Sequence, residues 1–205
     1  MAVEVEFFFD LSSPWTRLAF HNLPAALDGL DAQVTLRPFL VGGVFNAVNQ
    51  DVYRMREEGS PKMARSFLWL KEWAALADVP MNFPSEHHPV KSVAAMRVCC
   101  ALEDNQDALH RFATAAFHAY YADQRNLDDP QVLAAIADQC GVDGAALLAQ
   151  TQEQPIKDRL RANTEEAIQR GAYGSPTIFV ARDHLYFGND QMPLIRARVE
   201  AETTA

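Results

Sequence analysis

Ser12, Ser13 and Pro14 stand where an alternating apolar stretch gives way to a helically spaced one, a place where a hydroxyl can meet a reacting atom. Before them Val3, Val5, Phe7 and Phe9 alternate with Glu4, Glu6, Phe8 and Asp10, the period of a strand that becomes apolar on both faces as it enters a core. After them Leu18, Ala19, Leu23, Ala26 and Leu27 recur at helical spacing, and serine followed by proline begins a helix well. The first N–H groups of a helix have no internal partner, and with the helix dipole they favour an anion or a thiolate. Ser13 therefore occupies a position suited to sulfur chemistry. A Ser-Pro pair at a strand end is usually only a helix start, and alone the motif favours that plainer reading.

The elements that must position this turn follow from the same patterns. Val34 and Leu36, alternating with Thr35 and Arg37, predict a second strand over 33–40, ended near Pro38. With Gly29 closing the intervening helix, residues 3–40 form a strand-helix-strand unit whose crossover is right-handed and whose strands are parallel. Pro24 predicts a bend in the latter half of that helix. Residues 40–50, with Gly42 and Gly43, read as a loop leaving the sheet. From Pro61 to Gly171 the pattern is helical, with segments over 61–78, 92–102, 109–121, 130–141, 144–151 and 153–170. Strand signals return at Thr177–Val180 and Leu185–Phe187 around a polar turn at Arg182 and Asp183, a hairpin. Asn189 and Asp190 then stand as caps before a last helix through Ile195 and Val199.

The whole chain sets bounds on function. Its 205 residues can bury a substantial core as one domain, or as one domain with a large insertion. The net charge of −9 argues against nonspecific binding to nucleic acid or anionic membranes, and means that an anionic small ligand needs a local positive site. Apolar runs fall short of the roughly 20 residues that cross a bilayer, and no basic-then-apolar leader opens the chain, so a cytoplasmic location is expected. Cys99, Cys100 and Cys140 fit a reducing compartment and read as helix residues. No metal site is expected: His87 and His88 are adjacent and followed by Pro89, unlike a zinc pattern, and read as a surface loop.

Three motifs and one further segment carry a resemblance. The first strand, turn and helix are similar to the start of the thioredoxin superfamily in its DsbA-like branch, where Cys-Pro-x-Cys stands at this turn; here the positions read Ser13, Pro14, Trp15, Thr16, so no disulfide can cycle there. Phe-Phe-Phe-Asp-x-x-Ser-Pro resembles the kappa-class glutathione transferases and the 2-hydroxychromene-2-carboxylate isomerases. Gly174-Ser175-Pro176-Thr177 resembles the superfamily's cis-proline turn, although a trans proline at a strand start is the commoner use of such a sequence. Phe187-Gly188-Asn189-Asp190 is similar to the Trp-Gly-x-Asp that opens the last helix of these enzymes, and Arg161-Ala162-Asn163-Thr164-Glu165-Glu166-Ala167 is close to the isomerases' Arg-Ala-Asn-Thr-x-Glu-Ala.

The resemblance implies an α/β thioredoxin-like fold, with β-α-β and β-β-α halves in residues 1–45 and 171–205 framing an all-helical insertion over 46–170. It implies glutathione as cofactor, Ser13 favouring its thiolate, and the unpaired backbone N–H and C=O of Ser175 bonding its cysteinyl portion. Asn189 and Asp190 would hold its gamma-glutamyl end, although capping alone also explains them. Asn49 is a further glutathione contact, in a stretch where Asn46 replaces the family's lysine, and Lys62 is a candidate for a substrate carboxylate. The implied reaction is glutathione-dependent isomerisation of a 2-hydroxychromene-2-carboxylate-like small aromatic intermediate, by a homodimer. The alternatives are kappa-class transfer or peroxide reduction at the same site, and a noncatalytic thioredoxin-fold binding protein.

Overall fold

The computed structural model describes residues 2–57 and 60–204. Its sheet has four strands, β1 (Val3–Phe9), β2 (Ala32–Pro38), β3 (Thr177–Val180) and β4 (His184–Phe187), in the order β2-β1-β3-β4. β1 pairs parallel with β2, Val5 opposite Val34, and antiparallel with β3, Phe7 opposite Ile178; β3 pairs antiparallel with β4. Helix α1 (Pro14–Ala26) makes the crossover from β1 to β2, and the chain ends in α10 (Met192–Thr203) after a 3-10 turn at Asn189–Gln191. This is the thioredoxin-like arrangement of a β-α-β and a β-β-α half. Pro24 lies in the last turn of α1, where its missing N–H withholds a helical bond only from the carbonyl four residues back, that of Phe20.

Between the halves run α2 (Val41–Val48), α3 (Asp51–Glu57), α4 (Pro61–Leu76), α5 (Val93–Leu102), α6 (Gln106–Tyr121), α7 (Pro130–Gln139), α8 (Gly144–Gln150) and α9 (Gln154–Gln169). The loop expected over 40–50 is instead α2 and the approach to α3. Glycine is a poor helix former on propensity alone, but tertiary packing overrides it here: a Cβ on Gly43 would come within 3.0 Å of Thr164 Cγ2, so small residues let α2 lie against α9. The expected domain boundary at residue 45 thus falls inside a helix.

Strand alternation gives β1 two different faces. Val5, Phe7 and Phe9 enter the main core with Phe20 of α1 and Phe117 of α6. Phe8 points the other way, against Phe39, Val44, Ala167 and Phe179. On that second face, toward the start of β1, sits a closed ion network. Glu6 meets Arg37 at 2.9 Å and Arg170 at 2.6 Å; Arg37 also meets Glu103 at 3.2 Å and Glu166 at 2.5 Å, and Glu166 meets Arg170. Asn163 donates to Glu103 and to the Pro38 carbonyl, and both guanidiniums lie over the Phe8 ring. Residues from β1, β2, α5 and α9 are locked together this way, which fastens the helical segment to the sheet.

Candidate active site

The turn between β1 and α1 has its backbone groups accounted for locally. The Asp10 N–H donates to Ser175 Oγ at 3.1 Å, the Leu11 N–H to Met96 Sδ at 3.3 Å, the Ser12 N–H to Asp10 Oδ1 at 2.9 Å, and the Ser13 N–H to the Asp10 carbonyl at 3.2 Å. Asp10 is fully buried, and its second oxygen accepts from the Val41 N–H and from Ser92 Oγ. One carboxyl group therefore joins the end of β1 to the starts of α2 and α5. Burial raises its pKa above the ordinary aspartate value, against the opposing pull of those hydrogen bonds.

Ser13 is the N-cap of α1 and half-buried: its Oγ accepts from the Thr16 N–H at 3.2 Å. The same oxygen donates its proton to the Ser175 carbonyl at 2.9 Å. The Ser175–Pro176 bond is cis. This corrects the expectation that both backbone groups of Ser175 are unpaired. Its carbonyl is taken by Ser13, while its N–H makes no hydrogen bond among the described residues. The Ser175 side chain is buried and shares a 2.7 Å hydrogen bond with Thr16 Oγ1. Sequence reading missed Thr16 and Asp10. A hydroxyl three residues after an N-cap serine was the available signal for the first; the second was hidden in the strand alternation.

The other two motifs interlock beside this junction. A Cβ on Gly174 would meet Phe187 Cε2 at 2.6 Å, and Tyr173 packs on the same ring with centroids 4.4 Å apart. The Gly188 N–H bonds the Pro176 carbonyl at 3.3 Å, and Gly188 adopts φ +103, a conformation open to glycine. Asn189 is buried. Its Oδ1 accepts from Asn22 of α1 at 2.8 Å, whereas its Nδ2 has no partner among the described residues. Asn189 and Asp190 do not cap α10 as expected: no side-chain cap bond forms there, because these residues belong to the 3-10 turn that precedes it. Asp190 accepts instead from the neighbouring Gln191 amide.

Asn49 follows α2 and donates to the Tyr173 carbonyl at 2.9 Å, which ties it to the segment leading into Ser175. Beside it an open recess of about 450 Å³ is lined by Asn46, Gln50, Tyr53 and Arg54. Lys62 lies exposed in the first turn of α4, where its N–H bonds Ser60 Oγ; none of its contacts reaches the Ser13–Ser175 junction. The structure thus brings Ser13, Thr16 and Ser175 into direct contact, and Asn49 and Asn189 onto segments adjoining them. Cys99 and Cys100 are buried in α5 and burial holds both thiols in the protonated form. No group of residues able to hold a metal ion occurs among the described residues. Nor is any helix there long and apolar enough to cross a membrane.

Residues 4–200 match the DSBA-like thioredoxin domain family. The chain is 27% identical to a 2-hydroxychromene-2-carboxylate isomerase of Sphingobium xenophagum, over 96% of this chain and 98% of that protein. It is 25% identical to human glutathione S-transferase kappa 1, over 93% of this chain and 88% of that protein. Among solved structures, a 2-hydroxychromene-2-carboxylate isomerase superposes with a TM-score of 0.81 at 20% identity, covering 98% of this chain and 96% of that one. The cytosolic disulfide reductase DsbM of Pseudomonas aeruginosa with GSH superposes at 0.64 with 16% identity, covering 98% and 100%.

Proposed function

The chain belongs to the DSBA-like thioredoxin domain family, and from that premise we propose that it is a glutathione-dependent isomerase of a 2-hydroxychromene-2-carboxylate-like substrate, with Ser13 as the residue that stabilises the sulfur. The observation that carries the reading is the Ser13–Ser175 junction. A hydroxyl stands where related folds keep a redox thiol, and it is held within 2.9 Å of a peptide carbonyl whose own N–H is unbonded.

The residues fit a peptide thiol. The Ser175 N–H and C=O can pair with an extended cysteinyl unit, as one strand adds to another. The Asn189 amide nitrogen is a buried donor without an acceptor, at a place where a gamma-glutamyl carboxylate would supply one, and Asp190 offers a carboxylate for the ammonium. Asn49 supports the same segment through the Tyr173 carbonyl. Lys62 belongs to the proposal as an outer residue that meets the substrate's acid group on approach.

When bound, glutathione supplies a thiolate that adds reversibly to an electrophilic carbon of the substrate and leaves again after ring opening and bond rotation. The chain's part is to hold that sulfur ionised. In the structure the Ser13 proton points at the Ser175 carbonyl; a ligand N–H taking over that carbonyl frees the proton to turn toward sulfur. Thr16 keeps the Ser13 oxygen in place through its N–H, and its hydroxyl fixes the Ser175 side chain, so the turn of the proton needs no movement of the backbone. Lowering a thiol pKa from about 8.5 toward neutrality is a change of a few kcal/mol, within reach of one hydroxyl bond and a helix N-terminus.

Similarity to human glutathione S-transferase kappa 1 supports a second reading, conjugation or peroxide reduction at the same site. Product formation with catalytic against stoichiometric glutathione separates them: turnover that continues on a trace of glutathione supports isomerisation, and consumption one for one overturns it. No binding of glutathione at millimolar concentration would sink both and leave a noncatalytic binding protein.

A further inference from the structure

Arg17 is the residue of α1 that neither the fold nor the proposed chemistry has used. It stands one helical turn, roughly 5.4 Å along the axis, beyond Ser13, and its N–H bonds the Ser13 carbonyl. Only 7% of it is exposed, and its guanidinium Nε is buried with no hydrogen-bond partner among the described residues. Among the described residues no carboxylate faces it. Among the described residues Arg37 is answered by Glu6, Glu103 and Glu166, Arg170 by Glu6 and Glu166, and Arg159 by Asp104, whereas Arg97 of α5, less buried than Arg17, shares with it a buried Nε that has no partner.

The group electrostatically closest to Arg17 is Tyr121 at the end of α6. The Tyr121 hydroxyl is fully buried and also has no partner among the described residues. Burial holds Tyr121 protonated, so it is a donor, while arginine stays charged even where burial lowers its pKa. Arg17 Nε and the Tyr121 hydroxyl are thus two buried polar groups that make no hydrogen bond, to each other or to any other described residue. The first belongs to a side chain that carries a full positive charge and forms no ion pair among the described residues, in a chain whose net charge is −9. Buried polar groups are satisfied in folded proteins, and those that are not point to a missing ligand. A guanidinium fork matches a carboxylate or a phosphate, and the carboxylate is the group that the proposed substrate carries.

We infer that Arg17, together with Tyr121, is the specificity-determining anchor for the carboxylate of an unsaturated or aromatic acid, holding that acid one turn of α1 from the sulfur that Ser13 stabilises. The inference names the acid-binding half of the site and rests on the glutathione reading for its other half. It also shifts the main role in acid recognition from Lys62, which is exposed on α4, to a desolvated cation on the same helix as Ser13.

Calorimetry with cinnamate and its neutral isostere cinnamamide tests this on the intact protein, with glutathione titrated separately. Cinnamate is expected to bind about tenfold or more tighter than cinnamamide, one charge-assisted pair being worth at least that. Arg17→Met, which keeps the buried stem, is expected to erase the difference, and Tyr121→Phe to weaken cinnamate roughly threefold. Equal binding of acid and amide to the native protein overturns the inference whether or not either variant folds. So does discrimination that survives in a folded Arg17→Met. The two halves come apart cleanly: acid discrimination without glutathione binding sinks the proposed function and leaves the anchor, whereas glutathione binding without discrimination sinks the anchor alone.

Discussion

Two polar regions lie along β1, and they are built on opposite terms. Around Glu6 three carboxylates and two guanidiniums close on one another, with Asn163 filling the remaining acceptor sites. Past Asp10 the donors stay open: the Ser175 N–H, Asn189 Nδ2, Arg17 Nε and the Tyr121 hydroxyl have no partner among the described residues. The difference separates two uses of buried polarity. A closed network specifies how helices sit on a sheet, and gains little net stability because desolvation offsets attraction. An open set costs stability in the empty protein and recovers it when a ligand arrives.

That contrast can be broken at either end. The largest stability effect is expected from Arg37→Ala, which strands Glu6 and Glu103 as under-compensated buried acids. Roughly 3 kcal/mol should be lost in urea unfolding, with glutathione affinity unchanged. A loss of affinity as large as that of stability would mean that the two regions are one unit. Ser13→Ala should show the reverse pattern. Turnover is expected to fall on the order of 100-fold, as when a single preorganised donor to a developing charge is removed. Stability should drop only by about 1 kcal/mol for the lost helix cap.

The pH dependence sharpens the boundary between the regions at Asp10. Its folded-state pKa is raised by burial, so the stability that it contributes is full below the unfolded value of about 4 and is lost as pH rises through the folded value. The advantage of the native protein over Asp10→Asn should therefore shrink as pH rises above about 4 in parallel urea titrations. An advantage that grows over that range would show that the hydrogen bonds from Ser12, Val41 and Ser92 outweigh burial. The smallest effect belongs to Lys62→Ala. With the side chain exposed, stability should stay within about 0.5 kcal/mol and the KM for an acidic substrate should rise less than about threefold.

The chain's local patterns made some of this legible and hid the rest. Ser13-Pro14 and Ser175-Pro176 stand out because a strand end, a serine and a proline together leave few conformations, and the structure joins them across the whole chain. The strands and most helices follow from periodicity. Residues 41–57 did not, since Gly42 and Gly43 signal a loop locally, and only the close approach of Thr164 explains a helix there. Glu6, Arg37, Glu103 and Arg170 are spread over 165 positions, and each alone looks like an ordinary surface charge. Arg17 is hidden for a related reason: an arginine in an amphipathic helix reads as solvated until a second helix is seen to cover it. The Asn163 to Ala167 motif pointed to kinship, yet its residues serve packing and the ion network.

The central claim is that the Ser13 hydroxyl holds a glutathione sulfur ionised beside the Ser175 turn. Titrating the ultraviolet absorbance of the thiolate of bound glutathione, in the native protein and in Ser13→Ala, tests it most directly. The account predicts a bound thiol pKa displaced from about 8.5 toward neutrality in the native protein, with most of that displacement lost in the variant. The same thiol pKa in both proteins, or an undisplaced one in the native protein, would contradict it.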